Sequence, residues 1–120
     1  EDYFLYFEET DFCLQASRAG WPCWYVPESR VVHYVGQSTG VVSGDVNRRR
    51  RPKYWFQSRQ RYFLKNHGIF YTLMADFSWG VTFALWRLRR RIQGQQDLDP
   101  QNMLFDFWKN SLFLTLFNKS

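Results

Sequence analysis

The sequence has few of the residues that cross-link small domains or bind structural metals. Its 120 residues include two cysteines, Cys13 and Cys23, and two histidines. Two cysteines cannot build the disulfide framework of a small secreted domain, and their spacing does not match a zinc site. We therefore expect both cysteines to be reduced and to lie in the core.

The sequence also contains no internal repeat and no long charge-free apolar run, and we expect no signal peptide in it. It has no initiator methionine and opens with EDYFLYFEE, which is already dense in aromatic residues. This opening favours a segment cut out of a longer polypeptide. Residues 69–86 form the most apolar stretch, but Asp76 lies in its middle, where a charge costs roughly 2.5–3.5 kcal/mol on membrane-insertion scales.

Because Trp79 and Trp86 flank this stretch and RLRRR follows it, we expect a helix that lies in a membrane interface. A helix packed on a missing domain and a transmembrane helix remain the alternatives. The chain carries 16 basic and 11 acidic residues, for a net charge of +5, and 21% of its residues are aromatic. This aromatic content exceeds what a small core needs, so it suggests a membrane surface, a partner or a missing part of the chain.

The pattern of apolar residues divides the chain into two regions. In residues 1–46 it predicts a helix over 9–19 with Gly20 as its C-cap, and short strands over 23–26 and 30–35. In residues 47–120 it predicts helices over 53–66 and 69–91. A last helix is expected from Asp99, as N-cap, to about residue 117.

The first region carries a specific series of motifs. An aromatic run precedes the acids of FEETDFC, a helix ends in Ala-Gly-Trp, and a Val-Pro pair is followed by His33 and a Gly/Ser segment. This series resembles family 2 glycosyltransferases with the GT-A fold, in the rhamnosyltransferase-like branch, over residues 1–40. The resemblance implies an α/β fragment of a GT-A (Rossmann-like) catalytic domain, followed by a mostly α-helical C-terminal region.

The acids of residues 8–11 allow two interpretations. Acidic residues in a first helical turn complement the helix dipole, which would make them structural. The resemblance implies instead that Glu9 is the general base that takes a proton from the acceptor hydroxyl, and that Asp11 supports the site. We expect the cluster to do both: it starts a helix and directs an acid into a pocket.

The resemblance also implies a divalent-metal site on the sugar-nucleotide diphosphate. His33 corresponds to the ligand that completes this site, with Mg²⁺ or Mn²⁺ as the metal, although a hydrogen-bonded core histidine is the alternative. The family's Asp-x-Asp carboxylates lie upstream of the matched stretch, so the site is expected to be incomplete in this chain. The loop residues Gly36, Ser38 and Thr39 are expected over the donor diphosphate or the acceptor phosphate, or in an ordinary turn.

A cationic block opens the second region, and its arginines are Arg48, Arg49, Arg50 and Arg51. We expect these arginines to contact an anionic membrane surface or a lipid diphosphate. A solvated charge run is the alternative. Bases interleaved with aromatic residues are also typical of nucleic-acid binding, but no recognised module accompanies them, so no nucleic-acid partner is expected.

Together these patterns predict a glycosyltransferase fragment of cell-envelope polysaccharide biosynthesis. It would transfer a sugar, with inversion, from a nucleotide-sugar donor to a lipid-linked or glycan acceptor. The Gln-x-x-Arg-Trp motif of processive members is missing, which favours single transfers. The expected location is peripheral, on the cytoplasmic face of a bacterial inner membrane, and the chain alone should be inactive without its nucleotide-binding half. The alternative is a non-catalytic membrane-binding or assembly module derived from such an enzyme.

Overall fold

The computed structural model describes residues 3–32, 50–97 and 99–117. Over these ranges the chain forms four helices: α1 (Glu8–Arg18), α2 (Lys53–Ile92), α3 (Met103–Lys109) and α4 (Leu112–Phe117). No residue of these ranges belongs to a β-strand. Within them, no helix combines the length and apolarity needed to cross a bilayer.

The predicted α/β character of residues 1–46 is therefore wrong. Residues 23–26 and 30–32 are irregular, and residues 33–35 lie outside the described ranges. The β-branched side chains that suggested strands, at Val26, Val31 and Val32, are 53–86% exposed. β-propensity reflects packing on a sheet, and in the described residues these valines have no neighbouring strand to pack against.

Helix α1 agrees with the sequence to within one residue at each end. Its first turn contains Glu8, Glu9 and Asp11, whose charges complement the helix dipole. At its other end Gly20 has φ +84°, and the Trp21 amide donates to the Ala16 carbonyl at 2.9 Å. This is a Schellman motif, in which glycine supplies the left-handed conformation that ends the helix.

Helix α2 is bent at Gly68, which has φ 78° and ψ 179°. The bend separates an N-terminal half (residues 53–67) from a C-terminal half (69–92). It lies where the sequence predicted a break, between residues 66 and 69. A straight helix of 40 residues would be about 60 Å long, whereas the longest dimension of the chain is 46 Å. The Thr72 hydroxyl donates to the Gly68 carbonyl at 2.7 Å, which ties the first turn after the bend to the bend itself.

Helices α3 and α4 cover the inner side of α2 and complete the core. Among the described residues, the buried apolar side chains are Phe56, Met103, Phe107 and Leu112. The Phe107 ring lies 3.9 Å from the Trp79 ring, centroid to centroid. Gly80 lets the Trp108 ring lie directly on the α2 backbone, because a Cβ at this position would overlap that ring.

The single helix predicted from Asp99 to residue 117 is also wrong. Helix α3 begins at Met103 after Asn102, which has φ 55°, and the helix ends at Lys109. Helix α4 begins only at Leu112, whose amide donates to Asp76 Oδ2 of α2 at 2.9 Å. A carboxylate from a different helix thus provides the cap that divides the predicted helix in two.

The cysteines are free but do not lie in the core. Cys13 and Cys23 are both exposed, and the Cys23 thiol lies 3.6 Å from the Cys13 carbonyl oxygen. The predicted reduced state agrees with the structure, and the predicted burial does not.

Candidate functional site

A strained turn directly precedes the acids of α1. Tyr6 and Phe7 have φ values of 70° and 68°, in the left-handed region that bulky side chains rarely adopt. Each such residue costs on the order of 1–3 kcal/mol, and conformations of this kind concentrate at functional sites. The Tyr6–Phe7 turn is therefore a feature that the surrounding structure must hold in place.

Aromatic side chains of the N-terminal half of α2 hold this turn. The Tyr6 ring stacks on Tyr54 at 6.1 Å, and the Phe7 ring lies 5.6 Å from Tyr62. One residue before the turn, the Leu5 carbonyl accepts a hydrogen bond from the Ser58 hydroxyl at 2.8 Å. These contacts fix the direction in which α1 starts, and with it the position of its acids.

The three acids of this helix start have different environments. Glu9 is exposed, whereas Glu8 is half-buried, and its Oε2 atom is buried without a hydrogen-bond partner in the described part of the chain. Asp11 is buried. Sequence spacing alone does not distinguish the three acids. In the structure Glu9 is the exposed one, so a reactant can reach it.

Asp11 is held by three side-chain donors. Lys65 Nζ lies 2.6 Å from Asp11 Oδ2, Asn66 Nδ2 lies 2.7 Å from Oδ1, and Gln15 Nε2 lies 3.3 Å from Oδ1. Burial alone would raise the pKa of Asp11, but the hydrogen bonds from Lys65, Asn66 and Gln15 outweigh it, so the pKa lies below 3.8. A lowered pKa makes this carboxylate a weaker base than an ordinary aspartate, and its contacts with Lys65 and Asn66 anchor α1 to α2.

The network around Asp11 extends to both ends of the contact between the helices. Arg18 donates to Asn66 Oδ1 at 2.9 Å and to the Asn66 carbonyl at 3.0 Å. On the other side, burial and then the negative charge of Asp11 raise the pKa of Tyr3. Sequence reasoning missed Lys65 and Asn66, because nothing in the local pattern pairs them with an acid more than fifty residues earlier.

Most of the other predicted site residues cannot be compared with the structure. The predicted metal ligand His33, the loop residues and two of the arginines lie outside the described ranges: Gly36, Ser38, Thr39, Arg48 and Arg49. Arg50 forms a two-bond ion pair with Asp106 of α3, so its charge is compensated within the fold. The Arg51 guanidinium lies 5.9 Å from the centre of the Trp55 ring.

An Asp-x-Asp sequence is present at Asp97–Asp99, in the loop after α2 and far downstream of Glu9. It lines a cavity of about 490 Å³ with Arg87, Arg90 and Arg91. Asp97 is ion-paired with Arg87. Burial and then the charge of Asp97 raise the pKa of Asp99, whose Oδ2 atom is buried without a hydrogen bond in the described structure.

No three histidine, cysteine or acidic side chains among the described residues come close enough to hold a metal ion. Asp97 and Asp99 therefore do not form a metal centre with other described residues. Comparison with known proteins adds no family: no family model, curated protein or solved structure matches the chain.

Proposed function

We propose that this chain belongs to an inverting glycosyltransferase and that Glu9 is its general base. The observation that carries the proposal is the Tyr6–Phe7 turn, where two strained aromatic residues place an exposed carboxylate at the first turn of α1. Strain of this kind persists where a defined geometry is needed. The order of motifs in residues 1–40 supplies the reaction type.

Glu9 and Asp11 divide two tasks in this proposal. Asp11 is fixed by Lys65 and Asn66, so it keeps α1 in one orientation. Glu9, two residues earlier, points to a different side of the helix and is exposed to an incoming acceptor. Fixing one acid and exposing the other gives a positioned base without requiring the base itself to hold the fold together.

The proposed reaction is a direct displacement. A Glu9 carboxylate oxygen accepts the proton of the acceptor hydroxyl while the hydroxyl oxygen bonds to the anomeric carbon of the donor sugar. The bond from that carbon to the diphosphate breaks, and the nucleoside diphosphate leaves with the electron pair. Attack opposite the leaving group inverts the anomeric centre.

The donor in this proposal is a nucleotide-sugar, and the acceptor is a lipid-linked or cell-envelope glycan. The enzyme would work on the cytoplasmic face of the bacterial inner membrane. His33 and the loop residues Gly36, Ser38 and Thr39 stay predicted contacts of the donor diphosphate and its divalent cation.

The test is Glu9→Gln, measured in the native polypeptide that contains this chain. We expect sugar transfer to fall by about 10²–10⁴, the usual contribution of a general base, while nucleotide-sugar affinity stays within about twofold. Glu28→Gln is the matched control, because Glu28 is also exposed but lies outside the Tyr6–Phe7 turn and α1. If turnover of Glu9→Gln stays within a few-fold of wild type, Glu9 is not the general base.

A non-catalytic membrane-binding module is the second candidate. It is favoured by one observation, the row of exposed apolar side chains along the C-terminal half of α2. If the native polypeptide shows no transfer with any nucleotide-sugar but still binds membranes, this second candidate replaces the first.

A further inference from the structure

The C-terminal half of α2 exposes a continuous apolar row. Its side chains are 38–78% exposed: Phe70, Met74, Phe77, Val81, Leu85, Leu88 and Ile92. Steps of three or four residues keep these positions on one side of the helix. From the first to the last, the row is about 33 Å long at 1.5 Å per residue. We call it the apolar face of α2.

The opposite side of the same helix is buried and partly polar. Thr72 and Asp76 are 0% and 1% exposed, and Gly80 lies against Trp108 of α3. Asp76 is the one acid of residues 69–92, and it is ion-paired with the buried Arg59. Trp79 and Phe83 on this side pack against the core, so this half of α2 is apolar on both sides. An exposed apolar row of this length, on a helix whose other side already packs on the core, marks an interaction surface.

Positive charge borders the apolar face on both sides. At 100° per residue, Arg89 and Arg91 lie about 80° to either side of the centre of the row. Both are exposed, and Arg91 also lines the cavity at Asp97 and Asp99. Arg87 and Arg90 turn back toward the loop after α2, where they contact Asp97 and the Gln96 carbonyl. An apolar row with flanking arginines is an arrangement that suits a lipid interface.

A second copy of the chain is a poor occupant for this face. Parallel pairing would place Arg89 and Arg91 next to the same residues of the other copy. Antiparallel pairing would place them next to residues 71–73, Tyr-Thr-Leu, which contain no acid. A protein partner would have to provide acids on both sides of a flat apolar strip. A bilayer with anionic lipids provides an apolar interior for the row and phosphates along both of its edges.

We propose that the apolar face of α2 lies in the surface of an anionic bilayer, with the helix parallel to the membrane plane. Arg89 and Arg91 bind lipid phosphates on either side of the row, while α3 and α4 cover the helix from the water side. This interaction is independent of Glu9 and of the transferase chemistry, and its measurement needs no turnover.

The experiment is flotation of the full chain with vesicles of neutral phosphatidylcholine or of phosphatidylcholine with 30% phosphatidylglycerol, at about 0.1 M and 0.5 M salt. We expect binding to the anionic vesicles that weakens at high salt. Replacing both flanking arginines (R89Q together with R91Q) should lower the partition coefficient about 25-fold, since each arginine near such a surface contributes about fivefold. Phe70→Ser combined with Leu85→Ser should also reduce binding, without disturbing the fold, because both side chains are exposed.

Two matched variants control for charge and for surface hydrophobicity. The pair K53Q and K109Q removes two exposed charges elsewhere, and Phe105→Ser removes an exposed aromatic ring from α3. Both should bind like wild type. An equal loss in the lysine pair would overturn the assignment to Arg89 and Arg91. The proposal also fails if neutral and anionic vesicles bind equally, if no vesicle binds, or if a sizing column shows a dimer that Phe70→Ser/Leu85→Ser dissociates.

Discussion

At the scale of single residues, two acids of one helical turn have opposite roles. Glu9 is exposed, and Asp11 is buried among Lys65, Asn66 and Gln15. The sequence predicted an acidic cluster at a helix start, and the structure confirms it. The sequence could not predict which acid is buried, because that depends on side chains from α2 that are more than fifty residues away.

Asp11→Ala tests this division. We expect it to lower the free energy of unfolding by about 2–4 kcal/mol, because three hydrogen bonds to a buried charged group are lost and Lys65 loses its ion pair with Asp11. Glu9→Ala is the matched control and should change stability by less than about 0.5 kcal/mol, since Glu9 is exposed. Urea unfolding at neutral pH measures both.

The stability difference between wild type and Asp11→Ala should also depend on pH. The folded-state pKa of Asp11 lies below its ordinary value of 3.8, so the unfolded chain binds this proton more readily. The contribution of the charged carboxylate is therefore complete above pH 3.8 and is lost as the pH falls through the folded-state pKa. The stability difference between wild type and Asp11→Ala should shrink at about pH 2. A difference that stays constant from pH 7 to pH 2 would contradict the role of the charge.

At the scale of elements, the bend in α2 determines how the helices meet. Arg59 and Asp76 lie on different sides of Gly68, and the bend brings them into a buried ion pair. Asp76 then accepts the Leu112 amide and sets the start of α4. Periodicity and Gly20 predicted α1, and periodicity predicted a break between residues 66 and 69, because those signals are local. They failed for α4 because its cap comes from a residue 36 positions earlier, and they failed for residues 23–32 because a strand requires a neighbouring strand.

Gly68→Ala tests the bend. Gly68 has φ 78° and ψ 179°, a conformation that is essentially restricted to glycine, and a Cβ there would meet no other atom. The substitution should therefore cost about 3 kcal/mol through backbone strain alone. Gly94→Ala is the control: its φ of 64° ends α2 in a left-handed cap, where alanine costs about 1–2 kcal/mol, again in open space. If urea unfolding shows that Gly68→Ala and Gly94→Ala lower the free energy of unfolding equally, the expected extra strain at the bend is absent and α2 does not require it.

At the scale of the whole molecule, three buried aspartates join parts of the chain that are distant in sequence. Asp11 connects α1 to Lys65, Asp76 connects the two halves of α2 through Arg59, and Asp106 connects α3 to Arg50. The described apolar core is small, with three of its four buried side chains in α3 and α4. Because these ion pairs join residues that are at least 17 positions apart, the sequence could indicate the candidate acids but not their partners.

Phe107 is the side chain on which this small core depends most. It is 2% exposed, its ring packs on Trp79 from the C-terminal half of α2, and the Arg59 guanidinium from the N-terminal half lies 4.9 Å from the ring centre. Phe107→Ala should therefore lower the free energy of unfolding by about 3–5 kcal/mol, a large share of the 5–15 kcal/mol typical of a domain. Far-UV circular dichroism and tryptophan fluorescence should shift to lower urea together, because one ring contacts both halves of α2. Phe105→Ala, two residues earlier and 64% exposed, should leave both transitions within about 0.5 kcal/mol of wild type. If Phe107→Ala unfolds like Phe105→Ala, or if the two signals separate, α3 does not hold the two halves of α2 in one cooperative unit.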